Sequence, residues 1–356
     1  MKILDRYIAK TLFKYSLSVM VILVGVFAFF KFLEEVDDIG RAGYTLIDAL
    51  IYIGLTLPSI AYLLFSLIIL LGVILSLGYF ASNSELVIMR STGMSVIDIT
   101  KSSLKISLFF ALVMIIMGEF AAPIASDYAK KYRAEALGQK VVSVNQQGFW
   151  IKDNQNIIHV DRNVNGEKFK GTTLIKLKSA KDLHSVAYSQ ETDFDGQTII
   201  MRQPQEYLIN TDNKFTNFDK RALSRLSTKV AFDQELLQSL KKEPKELSTW
   251  QLFKQVGYLS DNSLSSGGYE VELYSRLMKP LTLIAMIVLS IPFVFGSLRD
   301  ASLGKKIFLG IVISLFFQLM ANIGAQFSLL YNLNHLLVAL MPTLIIFVIA
   351  LLNLKR

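Results

Sequence analysis

Six stretches of this chain are long and apolar enough to cross a lipid bilayer, and they constrain everything else about it. They run over roughly residues 12–33, 49–80, 97–121, 272–296, 306–328 and 334–354. A spanning helix needs about 20 mostly apolar residues to cover about 30 Å of hydrocarbon. The composition agrees: 52% of residues are hydrophobic, mean hydropathy is +0.43 and only 19% are charged. The second run is long enough to tilt or protrude, and Pro58 is placed to kink it. The first run is too long for a signal peptide, and Lys31 follows where a small-residue cleavage site would stand, so it reads as a retained span.

Orientation follows from the basic residues in the short connections. Lys2, Arg6, Lys10 and Lys14 precede or open the first span; Arg90, Lys101 and Lys105 follow the second; Arg299, Lys305 and Lys306 follow the fourth; Lys355 and Arg356 end the chain. The first connection, "EEVDDIGRAG", is mostly acidic, and the fifth, "YNLNH", has no Lys or Arg. The alternation predicts both termini in the cytoplasm. The net charge of +8 therefore reports membrane orientation, and no nucleic-acid partner is expected. With no cysteine, disulfides and thiolate metal sites are excluded.

Between the third and fourth spans the pattern changes. Residues 125–268 are polar and strand-like: "GFWIKDNQNIIHVDR" alternates around a turn at Asp153–Asn154, and "SVAYSQETDFDGQTIIMRQPQEYLI" has a hairpin signal at Asp195–Gly196. A helical period returns only in "PKELSTWQLFKQVGYL", where Ser248 can cap a helix, and "LSDNSLSSGG" (259–268) reads as a flexible return linker. The expected architecture is a six-span α-helical polytopic membrane protein with an inserted all-β domain of sandwich or jelly-roll type. Its boundaries fall at 1–124, 125–268 and 269–356.

Little in the chain looks catalytic. His159, His184 and His335 are far apart, and no G-x-S-x-G or H-E-x-x-H occurs. "GSLRDASLGKKI" lacks P-loop spacing, and "LSSGGYE" (264–270) stands without a companion P-loop. The chain is expected to be no enzyme and to bind no cofactor directly. Any ATP and magnesium would be used by another chain.

One polar stretch, "SNSELVIMRSTGMS" (82–95), sits between the second and third spans. Ser82-x-x-Glu85 has the form of a capping box, and Gly93 suits a C′ position, which predicts a short helix over 83–92. Leu86, Met89 and Arg90 share a face, with Glu85 beside Met89. Two readings stand: an interfacial turn with Glu85 spent on the cap, or a knob presented to a cytoplasmic partner.

"ILDRYIAKTLF" (3–13), "SELVIMRSTGMS" (84–95), "GEFAAPIASDYAKKYRAEAL" (118–137), "QQGFWIKD" (146–153) and "FVFGSLRDASLGKKI" (293–307) together resemble the lipopolysaccharide-export permease family, LptF/LptG, and its LptG branch more closely than its LptF branch. The resemblance runs end to end, in order. It implies a permease in the inner membrane of a Gram-negative bacterium that pairs with a paralogous subunit and binds a cytoplasmic ATPase dimer. It also implies a periplasmic β-jelly roll that hands lipopolysaccharide to a periplasmic bridge protein. Residues 83–92 would then be the coupling helix, with Glu85, Leu86, Met89 and Arg90 at the ATPase contact.

A binder of a multi-acylated, phosphorylated lipid needs an apolar wall with cations at its rim. Lys31 is either a lipid cation, as its family position implies, or a snorkelling lysine paired with Glu34 or Glu35. Where the family commonly has basic residues two turns on, this chain has Asp37 and Asp38, with Arg41 beyond. These carboxylates would repel phosphate unless a divalent cation bridged them. Arg41, Phe27, Phe30 and Arg276 complete the candidate lipid set, although snorkelling also accounts for Arg276 and Lys279. Glu119 is expected to make a structural hydrogen bond. "GVILSLG" (72–78) offers small residues for close helix approach. The alternatives are an LptF-type subunit, a transmembrane signal transducer that transports nothing, and a lipid-acting enzyme, which the lack of a clustered acid/base set disfavours.

Overall fold

The computed structural model describes residues 3–138, 148–164, 167–179, 182–212, 215–230, 232, 236, 239, 242–295 and 302–354. Lys2, Arg299, Lys355, Arg356 and the motif positions 146–147 and 296–301 lie outside the described residues. The chain divides into two compact units, residues 1–137 with 267–356, and residues 138–266.

The first unit is helical. Among the described residues, six helical segments are long and apolar enough to span a membrane: Ile3–Val36, Leu46–Ser82, Val96–Ala136, Gly267–Pro292, Gly304–Leu330 and His335–Leu352. We label its helices α1 (Ile3–Val36), α2 (Leu46–Ser82), α3 (Glu85–Ser91), α4 (Val96–Ile116) and α5 (Ala122–Ala136). A π-helical turn at Met117–Ala121 joins α4 to α5. Because α5 continues to Ala136, the expected boundary at residue 124 falls inside a helix.

The starts of α2 and α4 are written in their sequences. Thr45 and Asp48 form a reciprocal capping box, as do Ser95 and Asp98, and each such cap contributes about 1 kcal/mol. Helix α2 is the hub, with 67% of its apolar window buried. Close approach to α1 depends on Gly72, where an added Cβ would lie 2.6 Å from the Ser16 Cα. The small residues of 72–78 thus do what their size suggests: a Cβ added at Gly78 would likewise lie 3.1 Å from the Lys306 Nζ. Buried Ile8, Leu12, Phe65, Ile69, Val73, Leu77, Phe80, Ile99 and Leu283 fill the core around this hub.

The second unit carries eight described strands in one antiparallel sheet. They are β1 (Phe149–Asp153), β2 (Asn156–Asn163), β3 (Lys168–Leu177), β4 (Leu183–Phe194), β5 (Thr198–Arg202), β6 (Gln205–Asp212), β7 (Phe215–Ala222) and β8 (Arg225–Lys229). Strand β4 pairs with β3 along its length and branches on its other side: Ser185–Tyr188 pair with β6, and Glu191–Phe194 with β5. Both expected turns form. Asn154 takes a positive φ between β1 and β2, and Gly196 (φ +95°) sits between β4 and β5. The Asp195 carboxylate accepts the amide protons of Gln197 and Thr198, which holds its pKa below the usual carboxylate value.

Alternation puts one face of this sheet into a core. Phe149, Ile151, Ile158, Val160, Phe169, Leu174, Ala187, Phe194 and Phe232 are buried together, with Phe169 stacked on Phe194 at 5.7 Å. Helix α6 (Thr249–Asp261) begins at the predicted Ser248 cap, which forms a box with Gln251. It buries Leu252, Gln255 and Leu259. Its last turn extends to Asp261, and α7 (Gly267–Phe295) starts at Gly267, so the expected linker of 259–268 shrinks to residues 262–266. Helices α8 (Leu303–Leu330) and α9 (His335–Leu354) complete the helical unit.

Candidate functional site

Two parts of the helical unit carry most of the residues singled out from sequence: the elbow between α2 and α4, and the C-terminal end of α1 with the loop that follows.

At the elbow the short helix forms, over Glu85–Ser91 rather than 83–92, and its N-terminus differs from expectation. Ser82 still belongs to the last turn of α2, where its hydroxyl donates to the Tyr79 carbonyl. The N-cap is Ser84, in the left-handed region at φ +57°, with no side-chain cap bond. The capping box predicted at Ser82–Glu85 is therefore not used. The Glu85 carboxylate instead accepts a hydrogen bond from the Tyr7 hydroxyl of α1, at 2.9 Å. The C-terminus follows the prediction: Gly93 (φ +95°) donates to the Arg90 carbonyl and Met94 to the Met89 carbonyl, a Schellman closure.

The faces of α3 also correct the sequence reading. Leu86 and Met89 are buried, 6% and 5% exposed, in the core shared with Ile8, Leu12 and Phe80. They root the helix and cannot form its outward surface. That surface carries Arg90 and two apolar residues the sequence reading missed, Val87 and Ile88, 55% and 60% exposed. The signal was available: 87 and 88 lie opposite 86 and 89 on a helical wheel once the buried face is known.

At the end of α1, Lys31 Nζ meets Glu34 Oε2 at 2.8 Å, matching the paired reading of this lysine. Phe27 and Phe30 are exposed, and Phe30 packs edge-on to Phe29 at 6.1 Å. The two aspartates behave differently from each other. Asp38 is enclosed by arginines: Arg41 pairs with its Oδ1, and Arg133 Nη2 lies 2.5 Å from its Oδ2. Two arginines of the chain thus offset the Asp38 charge, while Asp37 is exposed.

Arg133, on α5, went unnoticed in the sequence and is the centre of this cluster. Its Nε also reaches both oxygens of Glu35, at 3.2 and 2.9 Å. Glu35 is 3% exposed and accepts a third bond from the Tyr44 hydroxyl at 3.2 Å. Burial, reinforced by the adjacent Glu35 charge, pushes the Tyr44 hydroxyl above the usual phenol range. A buried carboxylate must be paired to be tolerated, so Glu35 dictates a cation from elsewhere in the fold. No local spacing could reveal a partner 98 residues away.

Arg276, a candidate lipid cation, is buried at 8% exposure and bonded to Glu272 at 2.8 Å. Helix packing encloses it, where the sequence offered a rim cation or a snorkelling side chain. Lys279 lies over the Tyr62 ring at 3.7 Å, and Glu119 sits in the π-helical turn. Among the described residues no cluster of three or more metal-ligating side chains occurs. His159 instead stacks on Trp150 at 4.2 Å, and His335 bonds Ser328 at 2.8 Å.

Comparison with known proteins follows the same lines. The chain is 28% identical over 354 residues to lipopolysaccharide export system permease protein LptG of Escherichia coli (strain K12), covering 99% of this chain and 98% of that protein. It is also 28% identical to the Haemophilus influenzae protein of the same name over 348 residues, 97% and 96% of the two chains. Similarity to LptF of Escherichia coli (strain K12) is 25% over 177 residues, covering 49% and 48%. Six described helices long and apolar enough to span a membrane, a β unit inserted between the third and fourth, and a sequence match over residues 6–356 agree: the chain belongs to the lipopolysaccharide export system permease LptF/LptG family.

Proposed function

We propose that this chain is the LptG-type permease half of an ATP-driven transporter that extracts lipopolysaccharide from the inner membrane and passes it to a periplasmic bridge. The full-length similarity to LptG proteins, against half-length similarity to LptF, supports the LptG-type role. ATP and magnesium are used by a separate cytoplasmic ATPase dimer. Both termini lie in the cytoplasm, as the basic connections require, and the β unit is a periplasmic jelly roll.

The observation that carries this reading is the two-sided helix α3. Leu86 and Met89 fix it to the core, while Val87, Ile88 and Arg90 stay exposed at a turn between two spans. An exposed apolar pair on a charged, solvated elbow fits a groove in a partner. The second subunit also has surface to cover. Only 11% of the apolar window of α1, and of α8, is buried within the chain, against 67% for α2. Phe27, Phe30 and Lys31 lie on that sparsely packed helix α1 and line the lipid path, with Arg41 at its rim. Nucleotide closure displaces α3, the spans rearrange, and the lipid is released because the rearranged state binds it less well.

The test is reconstitution with the paralogous permease and the ATPase in vesicles containing lipopolysaccharide. ATP-dependent lipid release is expected, and Ile88→Asp should lose the ATPase from the complex while leaving the chain extractable and monodisperse. Retention of the ATPase by Val87→Asp/Ile88→Asp would refute the docking role of α3.

A further inference from the structure

We propose that Tyr7 is a positioning residue through which the short helix α3 drives α1. Its hydroxyl ties Glu85 to a span that α3 does not adjoin in the chain. The inference rests on the proposed function and deepens it by assigning the route from the ATPase contact to the lipid-facing helix.

Three observations carry it. First, α3 is joined by the chain only to α2 and α4. The Tyr7 hydroxyl, 78 residues away, donates to Glu85 Oε2 at 2.9 Å and supplies a direct polar link to α1. The bond is charge-assisted, the stronger class of hydrogen bond. Second, the start of α1 is held so that this link can move it as a body. The Tyr7 ring packs on Phe80 at 5.5 Å, and Ile8 and Leu12 share a core with Leu86 and Met89. Asp5, 7% exposed, accepts from Ser102 Oγ at 2.5 Å and from Lys105 Nζ at 2.8 Å, both on α4.

Third, α1 is one 34-residue helix without proline. The rise from Tyr7 to Lys31 over 24 residues is about 36 Å, so a displacement at one end is delivered to Phe27, Phe30 and Lys31 at the other. A residue holding only the fold would have no need of the hydroxyl, since a phenylalanine keeps the ring contact with Phe80. Glu85 in this arrangement has two tasks: it belongs to the helix that meets the ATPase, and it takes the proton donor that fixes α1 to that helix.

The experiment uses the complete complex, with a nitroxide on Ile22→Cys. The chain has no native cysteine, and Ile22 is 64% exposed on α1. In the wild-type complex the nitroxide signal changes on ATP turnover. In Tyr7→Phe, hydrolysis continues, the nitroxide response shrinks, and lipid released per ATP falls roughly fivefold, the factor for one hydrogen bond weakened by exposure to solvent. Because Tyr7 acts through Glu85, the Tyr7→Phe/Glu85→Ala double variant should match Glu85→Ala alone. An unchanged nitroxide response and unchanged lipid per ATP in Tyr7→Phe would overturn the inference. So would loss of the ATPase from that variant, since the hydroxyl would then serve assembly. If the wild-type complex hydrolyses ATP without releasing lipid, the transport reading falls, while the nitroxide response still decides the role of Tyr7.

Discussion

Replacing Arg133 with Ala should loosen the joint between α1 and α5 by an amount that follows from its geometry. Glu35 is 3% exposed and accepts three bonds, two from Arg133 and one from Tyr44. Without Arg133 the carboxylate stays buried with one neutral donor. Removing one member of a buried ion pair costs about 3–5 kcal/mol. The Arg133 side chain is itself 30% exposed, so water enters part of the gap it leaves, and about 2 kcal/mol is the expected cost. That corresponds to about a 30-fold rise in the local opening equilibrium. The loop over Glu35–Tyr44 supplies the reporters: Asp38, Gly40, Arg41 and Tyr44 donate their amides to carbonyls within it. Hydrogen exchange in detergent should therefore accelerate about 30-fold at these amides, while β2 and β3 stay unchanged. Glu35→Gln/Arg133→Ala should exchange more slowly than Arg133→Ala alone, because the uncompensated charge is gone. Acceleration below about threefold, or a double variant worse than both singles, would refute the argument that Glu35 is held by its pairing.

Three further outcomes follow from particular contacts. Gly72→Val forces a side chain into the Ser16 backbone and should cost about 1–3 kcal/mol by overpacking, seen as a lower thermal midpoint in detergent, with Gly54→Val, where space is open, as the control. Asn262 accepts the Asn154 amide at 2.7 Å and, through its own carbonyl, the Lys152 ammonium at 2.9 Å. Asn262→Ala should cost about 1 kcal/mol and speed exchange of the Asn154 amide roughly fivefold. The depressed pKa of Asp195 makes its turn sensitive to acid in one direction only. Its contribution is complete above the unfolded value of about 3.9 and is lost as pH falls through the lower folded value. Exchange at Gln197 and Thr198, corrected for intrinsic rate, should stay flat above about pH 4 and accelerate below it, with Asp195→Asn removing that dependence.

What the sequence determined here is what depends on nearest neighbours and on solvent. Hydrophobic length alone predicted six spans, because nothing shorter satisfies a backbone across hydrocarbon. Turn and cap chemistry gave Asp195–Gly196, Ser248 and Gly93, because those bonds close within a few residues. Tertiary structure decided everything that required a partner from far along the chain. Ser82-x-x-Glu85 has the letters of a capping box, yet the continuation of α2 through Ser82 and the approach of Tyr7 redirect both side chains. Leu86 and Met89 are periodic apolar residues in the sequence, and only the core of Ile8, Leu12 and Phe80 fixes which side of α3 faces in. Asp38 is a simple negative charge in the sequence and half of an arginine clamp in the fold. A buried charge must find its complement wherever packing brings one, and that distance through space is not written in the distance along the chain.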